Sequence, residues 1–94
     1  MLLAVDVGNS HTVLGLFEKE DLRAHWRIST RRDATTDEIG VLLRSLFLGA
    51  GVDPAAVAAV VVASVVPDLN RMLAAAGERY IGREPLFVGP GVRT

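Results

Sequence analysis

Ten consecutive residues without a charge, "VAAVVVASVV" at positions 57–66, constrain this chain most. The run falls well short of the roughly 20 apolar residues that cross a bilayer. It is short and dense in β-branched side chains, as in a buried strand, so residues 58–65 read as one with both faces covered. A second run of this kind, "LLAVDV" at 2–7, reads as a central strand, again apolar on both faces except at Asp6. Two such strands in one chain point to an α/β architecture with parallel pairing.

The segments between them supply the remaining elements. Residues 12–18 read as a strand paired with the first through a turn at Gly8–Ser10. In 22–29, Leu22, Ala24, Trp26 and Ile28 alternate with Arg23, His25, Arg27 and Ser29, the pattern of an antiparallel strand with one polar face. Thr35 and Glu38 form a capping-box signature. Ile39, Leu42, Leu43, Leu46 and Phe47 then recur at helical spacing, and Gly51 supplies a stop. Asp53-Pro54 predicts a short helical turn or an ordered loop, and Pro67 the first turn of a second helix with Leu69, Met72, Leu73, Ala76 and Tyr80 inward, ended by Gly82. "PLFVG" is a last short strand, and "PGVRT" trails off. The order β-β-β-α-β-α-β, with right-handed crossovers, predicts a mixed five-stranded sheet of order 3-2-1-4-5 in a single domain over 1–94.

Bulk properties exclude several functions. A net charge of −1 gives no general attraction to nucleic acid or anionic lipid. With no cysteine and two histidines, thiolate and multi-histidine metal sites drop out. The amino terminus lacks the basic start of an export signal, so the expectation is a soluble cytoplasmic protein.

In the expected topology the first and fourth strands end at one rim of the sheet, where connections diverge and open α/β sheets bind ligands. Asp6, Gly8, Asn9 and Ser10 lie at the first strand's end. Ser64 and the Pro67 turn lie at the fourth's. Glycine lets a backbone approach an oxyanion, Asn9 and Ser10 add donors, and Gly15 leaves room over the loop. A helix start suits an anion, and a carboxylate such as Asp6 can hold the Mg²⁺ that accompanies phosphate. The same residues also suit a plain hairpin turn, and on spacing alone both readings stay open. Ser64 alone fits a structural role better than a catalytic one. His25 could act as an acid or base but fits a surface or packing residue better. Arg23 and Arg27 could meet a nucleotide or another subunit but fit a solvated strand face better. The "RRD" of 31–33 reads as a wet loop, with closure over substrate as its alternative.

The chain as a whole resembles the amino-terminal half of type III pantothenate kinases, in the acetate and sugar kinase/Hsp70/actin superfamily. "DVGNSHTVLG" is similar to that family's first phosphate motif, with Ser10 in place of the usual threonine and His11 a further variation. "HWRIST", "TTDEIGVLL", "ASVVPDL" and "REPLFVGPGVRT" resemble later family segments in order. The resemblance implies a ribonuclease H-like, actin-like ATPase half-domain in which Asp6, Gly8, Asn9 and Ser10 serve ATP phosphates and Mg²⁺. It further implies phosphorylation of pantothenate, a monovalent cation (K⁺ or NH4⁺), a homodimer, and no nucleic-acid or membrane partner. The family's pantothenate-binding segment, catalytic base and cation-binding carboxylate would follow residue 94, so this chain alone is expected to be inactive. Two other readings stand beside it: a non-catalytic regulatory or interaction module, and a half-domain of another superfamily kinase. A half-domain exposing Leu and Val side chains is expected to self-associate.

Overall fold

The computed structural model describes residues 1–89. The expectations placed on "PGVRT", Arg93 and Thr94 included, lie outside them. Strands β1 (Leu2–Val7), β2 (His11–Glu18) and β3 (Asp21–Ser29) form an antiparallel meander. Helix α1 (Thr36–Ala50) leads to β4 (Ala59–Ser64), and α2 (Asn70–Ala76) leads to β5 (Leu86–Val88). The sheet order is β3-β2-β1-β4-β5, with β4 parallel to both β1 and β5, as the sequence predicts.

Local chemistry explains the boundaries. The Thr35 hydroxyl accepts from the Glu38 N–H at 3.1 Å, and Glu38 accepts from the Thr35 N–H at 2.9 Å. Two of the helix's otherwise unpaired donors are thereby satisfied. Gly51, in the left-handed region at φ 71°, ends α1. Asp53 caps a 3₁₀ turn at Pro54–Ala56. The run from Pro67 is helical up to Gly82 but changes geometry along the way. It is 3₁₀ over Pro67–Leu69, α over α2, and π over Gly77–Ile81. The π turn forms where the chain presses on Pro85: a Cβ on Gly77 would lie 2.7 Å from the Pro85 ring.

Both helices pack on the same face of the sheet. Leu3, Val5, Val7, Leu14, Leu16, Val60 and Val62 meet Leu43, Phe47, Leu69 and Ile81 there. The Trp26 ring stacks on Phe47 with centroids 5.9 Å apart. The expectation that β1 and β4 are covered on both faces is therefore corrected. Leu2, Ala4, Asp6, Val61 and Ala63 point away from the helices, and none of them is buried. The reason is topological. Both crossovers, β3-α1-β4 and β4-α2-β5, join parallel strands and travel in the same direction across the sheet. Two right-handed crossovers in one direction place both helices on one side.

A second correction concerns Leu22. The β2–β3 register slips between Leu16↔Ala24 and Phe17↔Leu22, leaving Arg23 as an extra residue. This bulge turns Leu22 away from Ala24, Trp26 and Ile28 and onto the helix-free face beside Phe17, where it is 51% exposed. That face now grades from polar to apolar. Arg27, Val13, Asp6, Ala63 and Val88 form one row across the five strands. The next row is His25, Gly15, Ala4, Val61 and Leu86, and beyond it lie Leu22, Phe17 and Leu2.

The π turn fixes Tyr80 against α1. Its ring lies where a Cβ on Gly40 would be, 2.0 Å from the nearest ring atom. Its hydroxyl donates to Asp37 at 2.5 Å, and Arg79 donates to the same oxygen at 2.9 Å. The Tyr80 hydroxyl first, then Arg79, holds Asp37 below its ordinary pKa. The bond to Asp37 holds Tyr80 above its own. Gly40→Ala is expected to destabilise the chain by about 1–3 kcal/mol through overpacking, against a helix-propensity gain of about 1 kcal/mol, as read by urea denaturation. The Asp37 contribution should be present above about pH 4 and be lost as pH falls through its lowered folded value. The Tyr80 contribution should be present below about pH 10 and be lost as pH rises through its raised folded value. In Asp37→Asn, a urea midpoint followed against pH should lose both dependences.

Candidate functional site

Parallel pairing of β1 with β4 sets the site. Val7 lies opposite Ser64, and the Val65 N–H donates to the Val7 carbonyl at 3.0 Å, so the two strands end side by side. The chain leaves β1 through Gly8–Ser10 and leaves β4 toward Pro67, at the same rim. This is the place the strand order predicted for a ligand.

The turn is closed by the Gly8 N–H, which donates to the His11 carbonyl at 2.9 Å. Positive φ occurs only at Lys19, Gly51 and Gly82 among the described residues, so glycine is not needed at position 8 for its dihedral. It is needed for space, since a Cβ there would lie 2.9 Å from the His11 carbonyl oxygen. The Gly8 N–H is thus spent inside the hairpin. The N–H groups of Asn9 and Ser10, at the tip, have no hydrogen-bond partner among the described residues. Gly8 acts as a spacer, and the next two residues carry the free donors.

Asp6 lies opposite Val13 and Ala63 on the helix-free face. It is exposed, and its carboxylate has no hydrogen-bond or ion-pair partner among the described residues. Neighbouring segments steady the turn. The Thr30 N–H donates to the Ser10 carbonyl at 2.9 Å. The hydroxyls of Thr30 and buried Thr12 meet at 2.7 Å. The Arg32 guanidinium donates to Asn9 Oδ1 at 3.0 Å, and Arg27 lies 3.3 Å from His11 Nδ1. The sequence pattern favours solvated positions for Arg27 and Arg32, whereas here both reach the turn. Arg32 and its partner Asn9 are 23 residues apart in the chain, so no local spacing could reveal their bond.

Of the two remaining candidates, Ser64 stands apart from this group, whereas Gly15 lines the same open groove as Asp6. Ser64 falls in the pleat on the helix side, opposite Val7. Its hydroxyl accepts from the Val66 N–H at 3.0 Å and donates to the Val66 carbonyl at 3.2 Å, closing its own turn. Gly15 lies one row from Asp6, in an open groove lined by Ala4, Val13, Phe17, Leu22 and Val61. The room above it is partly filled: a Cβ there would meet Phe17 at 3.1 Å and Leu22 at 3.3 Å. Among the described residues, no group of three or more His, Cys, Asp or Glu gathers to cage a metal ion, and no helix is long and apolar enough to cross a membrane.

Comparison with solved structures places the architecture. A ROK hexokinase from Thermus thermophilus superposes with TM-score 0.66 at 15% identity, over 94% of this chain and 34% of that one. YeaZ from Pseudomonas aeruginosa superposes with TM-score 0.63 at 19% identity, over 94% of this chain and 43% of that one. Strand order and these likenesses define the fold of the actin-like ATPase and sugar-kinase class. The model of the type III pantothenate kinase family matches residues 2–94, and the chain belongs to that family. A type III pantothenate kinase of Anaeromyxobacter sp. (strain Fw109-5) is 58% identical across all 94 residues, and one of Moorella thermoacetica is 46% identical. In both cases the chain spans 37% of the relative's length.

Because the Gly8–His11 contact is backbone against backbone, it cannot yield by a side-chain rotation. Gly8→Ala is expected to destabilise the chain by about 1–3 kcal/mol, read as a lowered urea midpoint, whereas Gly15→Ala presses only on movable side chains and should change stability less.

Proposed function

We propose that this chain is the ATP-phosphate-binding half of a pantothenate kinase, the enzyme that phosphorylates pantothenate at the start of coenzyme A biosynthesis. One observation carries the reading. Asp6 is an exposed carboxylate without a protein partner, at the mouth of a turn whose tip offers two free N–H groups. A plain hairpin has no need of that acid.

The residues fit Mg²⁺ as it usually meets nucleotides, held by one or two carboxylates while phosphates and waters complete the shell. Bound there, the ion would neutralise charge on the phosphates of ATP. Asp6 would hold it directly or through its waters. The Asn9 and Ser10 N–H groups, the Asn9 amide and the Ser10 hydroxyl would donate to phosphate oxygens. Gly8 would keep the turn tight, so that these donors converge.

The acceptor alcohol, the base that takes its proton and the carboxylate for K⁺ or NH4⁺ belong, on this reading, to the polypeptide that the longer relatives carry beyond this segment. Phosphoryl transfer depends on positioning from both sides of a cleft, so the chain alone is inactive, and the complete enzyme is a cytoplasmic homodimer. Calorimetric titration with Mg·ATP tests the phosphate half of the proposal. Binding should be weak in the parent chain and at least about tenfold weaker in Asp6→Asn, with an unchanged circular-dichroism spectrum. Equal binding by both, or none by either, would favour a non-catalytic interaction module. A coupled assay with pantothenate should give no turnover above blank.

A further inference from the structure

The Arg32–Asn9 contact is unusual for an exposed arginine. The nearest acid in sequence, Asp33, lies 3.5 Å from Arg31, while Arg32 donates across 23 residues to a neutral amide. Such a bond at the surface contributes little to folding, because water competes for both partners. Its consequence is orientation. With Oδ1 committed to the guanidinium, the two N–H donors of the Asn9 amide remain without a partner among the described residues. They share the turn with the free N–H groups of Asn9 and Ser10. An amide flipped the other way would present a lone pair to any anion there. The segment carrying Arg32 is also anchored: the Thr30 N–H holds the Ser10 carbonyl at 2.9 Å, and the Thr12 and Thr30 hydroxyls lie 2.7 Å apart.

We propose that Arg32 is a positioning residue of the phosphate site, locking the Asn9 amide so that its NH2 faces a bound polyphosphate and setting a guanidinium beside the turn. The proposal rests on the reading of this turn as a phosphate site. The ligand feature recognised is the polyphosphate itself, independent of the nucleoside, because the contact lies with Asn9 in the turn. Arginine is suited to this by a planar, rigid fork that can hold the amide oxygen in one orientation.

The test measures binding of Mg·ATP and of inorganic tripolyphosphate to the parent chain, Arg32→Ala, Arg32→Lys, Asn9→Ala and the Arg32→Ala/Asn9→Ala double variant, with Asp6→Asn alongside. Arg32→Ala should weaken both probes by about tenfold without lowering the melting temperature, and Arg32→Lys should recover only part of the loss. In the Asn9→Ala background, Arg32→Ala should cost no more than about twofold, because its effect runs through that amide. Parent-like binding by Arg32→Ala, with binding lost in Asp6→Asn, would overturn the role of Arg32 and leave the phosphate site standing. Additive losses from the Asn9 and Arg32 substitutions would overturn the positioning role. Failure of the parent chain to bind either probe at millimolar concentration would overturn the site and this proposal together.

Discussion

Handedness governs the architecture. The path from β3 through α1 to β4 and the path from β4 through α2 to β5 both join parallel strands, and both advance the same way across the sheet. Because each crossover is right-handed, α1 and α2 must share a face. That face receives the alternating residues Leu3, Val5 and Val7 and their partners from β2 and β4. The other face keeps Leu2, Ala4 and Asp6. The same parallel pairing that buries Val5 and Val7 against the helices therefore exposes Asp6, and it brings the ends of β1 and β4 to one rim.

The parts of this fold legible in the sequence are those set by contacts within a few residues. The Thr35–Glu38 box, the Gly51 and Gly82 stops and the Asp53-Pro54 turn involve neighbours along the chain, and each occurs where its residues predict it. Strand order followed from two apolar runs and the rule for crossovers. The bare face could have been reached from that same rule. Composition misled there, because valine and alanine suggest burial on both sides of a strand wherever they are dense. Leu22 escaped because one extra residue inverts the pleat, and alternation carries no mark of where a bulge falls.

The geometry of the candidate site was legible only in part. Asp6 and the turn after it stand out in the sequence as an acid beside small residues at the end of an apolar run. How donors divide among Gly8, Asn9 and Ser10 was not legible, since it depends on which N–H closes the hairpin. The Arg32–Asn9 bond was invisible for a different reason: the two residues are brought together only once β3 has paired with β2. Tyr80 shows the same dependence. Its ring needs Gly40 and its hydroxyl needs Asp37, both on a helix distant in the chain.

The grading of the helix-free face has an electrostatic consequence. Asp6 stands one row from Ala4, Gly15 and Val61, and rows on one face of a strand are separated by about 7 Å. With water over the apolar rows, the field of the carboxylate is screened. Any polypeptide laid across them to hide Leu2, Phe17 and Leu22 would also displace that water and lower the local dielectric beside the turn. Attraction between Asp6 and a cation would strengthen in the same step. If the proposed Mg²⁺ is held at Asp6, its affinity would in this way be tied to solvent exclusion over side chains outside its coordination shell.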